Sequence, residues 1–318
     1  MGSNRSLFAL MSIAVVAAAA CGSFGSEDDA EQPATNDGGP TNEAAPPVDA
    51  PEDRVTTLDG PVPVAKCNAQ PFGAALAFSA TSPLESARLG SDGLVYVGVE
   101  GAPRTLGTTT FIGSTIDTVT TILQPPKEDS QVMLSQDGLS IVFQTKRGNG
   151  AGPWRLWYSA RASTKDAFTF AGALDVQGTT LNATEELEYP WLATITNHVY
   201  FTRSATNGAP RKLVMGTMTA PPTLTVVGEV LDAAAGDVQA PVLSRDELEL
   251  FYEMAGKVYR SKRAKVTDKF PVGSLVPELA SMINGRPTWI SPDDCSLYVL
   301  GNPGGPGGVY GLNRYTRP

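Results

Sequence analysis

Residues whose side chains could do chemistry are few in this chain of 318 residues, and they are scattered along it. His198 is the only histidine, and it precedes the apolar run Val199 to Phe201. A lone histidine at the start of a strand is far more often a satisfied surface or turn residue than a base or a metal ligand. No G-x-S-x-G, H-E-x-x-H or Walker pattern occurs. We therefore expect no catalytic residue, no metal site and no cofactor.

Acidic residues occur in two arrangements that a hydrolase could use. Four aspartates stand at matching positions of a repeated segment: Asp92, Asp137, Asp246 and Asp293. Each is expected in a hairpin turn, where Asp bonds its own backbone, so a structural role is favoured over a ring of carboxylates or calcium ligands. A second, tight group comprises Glu185, Glu186 and Glu188, whose spacing suits a solvated loop better than a channel site.

The four tryptophans are the other candidate binding residues. An exposed indole ring could stack on a sugar, and Trp154, Trp157, Trp191 and Trp289 are available for that role. Trp157 and Trp289 lie inside predicted strands. For these two we expect burial in the core instead.

The elements that must position these residues come from a repeat. A short strand ends in Leu-Ser-x-Asp or a variant, a turn follows, and an alternating strand with Tyr or Phe comes next. The repeat anchors are spaced 44, 58, 51 and 47 residues apart: Ser91, Ser135, Ala193, Ser244 and Ser291. A third and a fourth strand follow most copies. A period of this size is typical of the blades of a β-propeller.

Five repeats predict an all-β, five-bladed β-propeller. The chain ends after the third strand of the last unit, so the missing strand must come from the segment between Cys67 and Ser79. We therefore predict that an N-terminal strand closes the last blade. A six-bladed ring with one diverged blade is the alternative.

The last repeat carries the clearest resemblance to a known family. The stretch from Trp289 to Asp294, followed by the Gly-rich segment and Val309-Tyr310, resembles the WD40-like propeller repeat of TolB-type envelope proteins. Asp294 stands where that family usually has Gly, so we expect this turn to be built differently. The resemblance covers about 250 residues and implies the fold. It does not specify a function, because this repeat serves many unrelated roles.

The first 65 residues predict where in the cell the protein is located. Arg5 and the run Leu7 to Ala20, which is apolar except for Ser12, are typical of an export signal, and fourteen residues are too few to span a bilayer. Ala18-Ala19-Ala20-Cys21 resembles a bacterial lipobox, which implies residues 1–21 as a signal ending at a lipidated Cys21. Ordinary cleavage that leaves a free thiol is the alternative. The residue after the cysteine, Gly22, implies the outer membrane, facing the periplasm or the cell surface.

Residues 22–65 are predicted to form a disordered, acidic tether rich in Pro and Gly, with ten acids and one base. Residues 66–318 then form the propeller. With Cys21 assigned to lipid, Cys67 and Cys295 remain, one on the closing strand and one in the blade it completes. We favour a disulfide between them in an oxidising compartment, with two buried free thiols as the alternative.

The distribution of charge along the chain limits which class of partner is expected. The net charge of −9 resides almost wholly in the tether, so the propeller is close to neutral and no nucleic-acid partner is expected. The short basic cluster from Lys257 to Lys265 is interpreted as the polar face of a strand and its turn. We expect a monomeric, non-enzymatic envelope lipoprotein that is anchored by lipid and binds a protein or cell-wall partner as a scaffold. The alternative is a carbohydrate-binding or glycoside-hydrolase propeller that uses channel carboxylates.

Overall fold

The structure is a computed structural model that describes residues 67, 71–80, 82–90, 92–123, 127–135, 137–147, 152–193, 195–232, 236–303 and 311–317. The predicted export signal, Cys21 and the acidic tether lie outside these residues. Five small antiparallel sheets form the blades of a propeller, which confirms the predicted fold class. Within the described ranges the helical content is one short 3-10 helix, Pro277–Leu279. No helix of the described part has the length and apolar character that crossing a bilayer requires.

Each blade is a meander in which the first strand lies innermost. Blade I contains Leu84–Leu89, Val95–Val99, Thr105–Thr109 and Thr120–Thr121. Blade II contains Asp129–Leu134, Ser140–Thr145, Arg155–Ala160 and Thr169–Ala173. Blade III contains Glu186–Leu192, His198–Ser204, Lys212–Ala220 and Thr223–Glu229, with Asp175–Gln177 added in parallel at its outer edge. Blade IV contains Gln239–Leu243, Glu249–Met254, Lys257–Lys262 and Ser274–Leu275.

Blade V is assembled from both ends of the propeller domain. Its first three strands are Ile283–Ile290, Ser296–Asn302 and Gly311–Thr316, and its fourth is Ala75–Ala80. The N-terminal strand pairs antiparallel with the C-terminal one, from Ala75 opposite Tyr315 to Phe78 opposite Leu312. Two short strands, Phe111–Ile112 and Thr115–Ile116, extend the same sheet. The prediction of a ring closed by the N-terminal strand is confirmed.

The second strand of every blade is buried on both faces because each blade is packed between two neighbours. Three consecutive residues are buried in each, for example Val199, Tyr200 and Phe201 in blade III and Leu250, Phe251 and Tyr252 in blade IV. Burial of a whole strand explains why these segments read as continuous apolar runs at their centres. The core is therefore a ring of side chains between blades.

Three arginines occupy one equivalent place in blades II, IV and V, directly after the third strand: Arg161, Arg263 and Arg317. The guanidinium of each lies over a phenylalanine ring, at 4.5 Å for Phe168, 4.2 Å for Phe270 and 4.2 Å for Phe72. Such contacts combine a cation–π attraction with cover for the buried ring. The phenylalanine beneath the arginine of blade V, Phe72, therefore comes from the N-terminal segment. In blades II and IV the phenylalanine comes from the segment that follows the third strand of the same blade.

The same arginines reach the preceding blade. Arg161 of blade II donates to the Tyr96 hydroxyl at 2.9 Å and pairs with Asp92 at 3.1 Å in blade I. Arg263 of blade IV donates to the Tyr200 hydroxyl of blade III at 2.7 Å. Arg263 is 7% exposed, so it does not belong to the solvated polar face expected for the basic cluster. These contacts fix neighbouring blades against each other.

A disulfide joins Cys67 to Cys295, the pair favoured in the sequence analysis. Their Cα atoms lie 5.0 Å apart, within the range that a bridge requires. The bridge ties the segment before the closing strand to the hairpin turn of blade V. It therefore stands at the seam of the ring.

Candidate functional site

The repeated aspartates all lie in the turn between the first and second strand of a blade. Each accepts a bond from the backbone N–H two residues later, at 3.1 Å for Asp92, 2.9 Å for Asp137, 3.0 Å for Asp246 and 3.0 Å for Asp293. A side chain that bonds its own backbone in this way stabilises the turn. These carboxylates shape the rim of the propeller, and they do not converge as a ligand cage.

Asp294 corrects the expectation of a differently built turn in blade V. Its φ of 57° matches the left-handed conformation of Gly93, at 79°, and Gly138, at 72°. Its N–H donates to the Ser291 carbonyl at 2.8 Å, as that of Gly138 does to Ser135 at 3.0 Å. The turn is the same because Asp is among the few residues that adopt this conformation readily.

His198 is satisfied by a carboxylate of the next blade. Its Nδ1 lies 2.8 Å from Oε2 of Glu247, and the same oxygen accepts a bond from the Tyr200 hydroxyl at 2.5 Å. The other carboxylate oxygen, Oε1, accepts a bond from the Thr196 hydroxyl at 2.6 Å. Glu247 is 2% exposed. The four side chains join blades III and IV, and none of them lines the cavity described below.

The acidic group of blade III is not a solvated loop, which corrects the sequence interpretation. Glu186 and Glu188 lie on the innermost strand, and Glu185 directly precedes it; all three are buried. Glu188 pairs with Arg211 at 2.6 Å and Glu185 with Arg203 at 2.8 Å. Desolvation raises the pKa of Glu188 even though Arg211 acts in the opposite direction.

Carboxylates of other blades are paired in the same way. Glu85, on the inner strand of blade I, binds Arg104 at 2.5 Å, and Glu253, on the second strand of blade IV, binds Arg286 at 3.0 Å. A glycosidase needs two carboxyl groups free to act as acid and as nucleophile or base. Glu85, Glu185, Glu188 and Glu253 are held in ion pairs, whereas the buried Glu186 has no ion pair among the described residues. Within the described residues, no group of three His, Cys, Asp or Glu side chains is placed to hold a metal ion.

A cavity of about 140 Å³ opens at the mouth of the central channel, on the side of the hairpin turns. All five blades contribute residues from the ends of their inner strands: Arg88, Leu89, Gly90, Leu134, Ser135, Trp191, Leu243, Ser244, Arg245, Trp289, Ile290 and Pro292. Deeper in the channel the space narrows to a cavity of about 20 Å³. Its walls include Gln131, Met133, Tyr189 and Pro287. The wide mouth is thus the larger concave surface at the axis.

Irregularities in the inner strands set which side chains face this mouth. The strand pairing slips between Ser130 and Met133 in blade II and between Glu188 and Trp191 in blade III. At the slip, Gln131 has a φ of 50°, as does Tyr189. A bulge re-aims the residues that follow it, so the side chain after the slip is not where simple alternation would place it.

Two tryptophans and an arginine form one wall of the mouth cavity. Trp191 and Trp289 are 3% and 6% exposed, and the Trp289 ring packs on Tyr298 at 4.9 Å. The guanidinium carbon of Arg88 lies 4.9 Å from the centroid of the Trp191 ring, and its Nη1 lies 2.7 Å from the Met133 sulfur. The expectation that Trp289 lies in the core is confirmed by its burial, whereas the sequence analysis did not select Arg88. Trp289 lies two residues before the anchor Ser291 and Arg88 three before the anchor Ser91, so position in the repeat did not connect them.

The structure thus defines a five-bladed β-propeller with an aromatic and cationic cavity at one mouth of its channel. No family model and no curated protein matches the sequence. Among solved structures, a gluconolactonase from Xanthomonas campestris is 10% identical, with 75% of this chain and 73% of that chain covered and a TM-score of 0.47. An alpha-L-arabinofuranosidase from Lactobacillus brevis is 11% identical over 79% of this chain and 92% of that chain, with a TM-score of 0.45.

TolB from Acinetobacter baumannii is 12% identical to this chain, with a TM-score of 0.43; 74% of this chain and 55% of that chain are covered. The resemblance to TolB-type propellers is therefore supported for the fold. At such identities a likeness concerns the fold alone, and function has to be argued from the site itself.

These comparisons correct the expectation that the chain is not an enzyme. Gluconolactonases and an arabinofuranosidase are among the solved structures that it resembles, so the comparisons contradict an expectation that excludes enzymes, although a likeness of the fold alone assigns no activity to this chain. The physical reason is that a propeller can draw its reacting groups from strands and loops of several blades. The absence of a linear motif therefore does not exclude catalysis on this fold.

Proposed function

We propose that this propeller binds a carbohydrate in the cavity at the channel mouth. The observation that carries the proposal is the shared wall formed by Trp191, Trp289 and Arg88. Ligand sites are mostly apolar and aromatic hollows with a few polar groups that fix orientation. Indole rings offer flat apolar faces to the C–H surface of a sugar, while guanidinium groups donate hydrogen bonds to its oxygens.

The rigidity of the ring supports a preformed site. Every lining residue belongs to an inner strand or to the turn that follows it, and these strands are fixed by antiparallel pairing within each blade. The turn hydroxyls of Ser135 and Ser244 are already bonded to Asp137 at 2.5 Å and Asp246 at 2.6 Å. These hydroxyls are therefore already bonded, and a ligand in the cavity would meet the small exposed edges of Trp191 and Trp289 and the side chains of Arg88 and Arg245.

The test is titration of the full chain with neutral and acidic monosaccharides and short oligosaccharides, followed by calorimetry and by tryptophan fluorescence. We expect saturable binding that Trp191→Phe and Trp289→Phe each weaken at least fivefold, because a smaller ring offers less stacking surface. Trp157→Phe is the matched control, since Trp157 lies on the third strand of blade II and does not line the cavity. Binding that both cavity variants leave unchanged, or the absence of saturable binding, would refute the proposal.

The cellular location of the protein is a separate proposal. We propose that the chain is exported and anchored to the bacterial outer membrane through lipid on Cys21, because small residues precede this cysteine at the end of an apolar run. The test is labelling of expressing cells with radioactive palmitate. Label on the wild type and none on Cys21→Ser supports the anchor, and an unlabelled wild type overturns it.

A further inference from the structure

The mouth cavity contains a buried arginine that the described part of the chain leaves without a counterion. Arg88 is 5% exposed, and its guanidinium contacts the Met133 sulfur and the Trp191 ring. Among the described residues, no carboxylate lies within ion-pair distance of it. Among the other buried arginines, Arg147 pairs with Asp129 and Arg317 with Glu249, whereas Arg263 donates to backbone carbonyls and to the Tyr200 hydroxyl.

A second arginine that lines the same cavity, Arg245, also has a side-chain nitrogen that is buried and unpartnered. The backbone N–H of Arg245 donates to Asp294 at 3.1 Å, but the side-chain Nε is buried and has no hydrogen-bond partner in the described structure. Arg245 lies on the turn of blade IV and Arg88 on the inner strand of blade I. The two guanidinium groups therefore reach one cavity from separate blades.

Burying a charge without a partner is unfavourable, and proteins normally pair such charges. The face of Trp191 attracts the guanidinium of Arg88, but a neutral ring does not replace a counterion. Burial lowers the pKa of Arg88 to about 9, which still leaves the group charged at neutral pH. The buried, unpaired guanidinium of Arg88 lines a cavity that opens to solvent. It is therefore suited to bind the anionic group of a ligand.

We propose that the ligand of this cavity is anionic, an acidic sugar whose charged group binds Arg88 and Arg245. The inference rests on the proposed carbohydrate site and adds the charge class of its ligand. Guanidinium groups form charge-assisted, two-pronged bonds with carboxylate and with phosphate, so both anions share the required chemistry. The sugar ring stacks on the tryptophans while the anion neutralises the arginines.

The test compares matched ligands on the full chain by calorimetry: glucose, glucuronate, glucose 6-phosphate and acetate. We expect at least one of the two acidic sugars to bind at least tenfold more tightly than glucose. Arg88→Met should reduce that advantage to less than threefold, and the Tm of this variant should be equal to or above that of the wild type, because an unpaired buried charge is removed. Lys212→Met is the control for net charge, since Lys212 is an exposed residue of blade III that pairs with Glu229.

The outcomes separate this inference from the function on which it rests. Equal binding of glucose and both acidic sugars would overturn the charge inference and leave the carbohydrate site standing. Acetate binding that depends on Arg88, without sugar binding, would support an anion site and overturn the carbohydrate function. If no probe binds, both fail. The relative affinity of glucuronate and glucose 6-phosphate distinguishes carboxylate from phosphate as the preferred anion.

Discussion

The Cα atoms of Cys67 and Cys295 lie 5.0 Å apart although 228 positions separate them along the chain. This pair bridges the two ends of the propeller, where Ala75–Ala80 pairs with Gly311–Thr316. A covalent link across so long a loop restricts the unfolded chain strongly, whereas in the native ring it joins segments that are already adjacent. The seam of the ring therefore combines backbone pairing with a covalent bond.

Removal of this bridge should destabilise the propeller. We expect Cys67→Ser with Cys295→Ser to lower the free energy of unfolding by about 2–5 kcal/mol, the usual cost of losing a native disulfide. Urea unfolding with and without reductant measures this. Reductant should lower the wild-type midpoint toward that of the double variant and leave the variant unchanged. Equal midpoints for wild type and variant under oxidising conditions would contradict the expectation.

Loss of the contact between blades I and II should lower the free energy of unfolding. Arg161→Met leaves Asp92 without its cationic partner and removes the donor to the Tyr96 hydroxyl. Breaking a buried pair by deleting one partner costs about 3–5 kcal/mol, and the 13% exposure of the Asp92 side chain argues for the lower part of that range. Chemical denaturation measures the loss. Lys212→Met breaks an exposed pair and should change stability by less than about 1 kcal/mol; equal losses in the two variants would disprove the argument.

Asp92 should also contribute to acid sensitivity. Burial acts to raise its pKa, but the bonds from the Tyr96 hydroxyl, the Leu94 N–H and Arg161 outweigh burial and hold the pKa below the usual value. A lowered folded-state pKa stabilises the protein above the unfolded-state value, and this stabilisation is lost as the pH falls through the folded-state value. We expect Asp92→Asn to be less stable than wild type at pH 7 and to lose less stability below pH 4. Parallel stability curves from pH 2 to 7 would show that Asp92 does not contribute.

The sequence predicts the blades better than it predicts the site, and particular residues show why. The turns at Asp137 and Asp246 are local, since each aspartate bonds a backbone N–H two residues away, so their pattern survives in the sequence. The closing strand follows from counting the strands in each repeat. By contrast, the position of Trp191 and Arg88 beside the channel mouth depends on bulges in the inner strands and on packing between blades. Those are long-range properties that no residue spacing encodes.

Glu247 links blades III and IV, and its replacement should weaken that contact. Glu247→Ala leaves the buried Tyr200 hydroxyl without its acceptor and removes the partner of His198. Since Glu247 also has a left-handed φ of 60°, Ala keeps the unfavourable conformation without the bonds that offset it. We expect a loss of about 2–4 kcal/mol in unfolding free energy. Glu247→Gln should lose clearly less because its amide oxygen still accepts one bond. Equal losses for the two variants would contradict a role through hydrogen bonding.

Asp294 should make the propeller less stable as the pH rises toward neutrality. Burial, with the nearby charges of Asp246 and Glu249, raises its pKa from 3.8 to about 7, although the Arg245 N–H and Arg317 act in the opposite direction. A raised folded-state pKa contributes stability that is fully present below the unfolded-state value and is lost as the pH rises through the folded-state value. The wild type should therefore lose stability between about pH 4 and pH 7 relative to Asp294→Asn, which does not titrate. Asn also tolerates the left-handed turn and can accept the bond from Arg245.

The pKa shift of Asp294 also sets the size of this change in stability and the pH range over which it occurs. At about 1.4 kcal/mol per pKa unit, the stability difference between Asp294→Asn and wild type should grow by at most about 4 kcal/mol from pH 4 to pH 8. It should then stay constant at higher pH, where Asp294 is charged in both states. Urea unfolding of both proteins at pH 4, 5, 6, 7 and 8 measures the difference directly. A difference that is constant across this series would mean that Asp294 is already ionised at pH 4, and its buried carboxyl group would then have to be solvated.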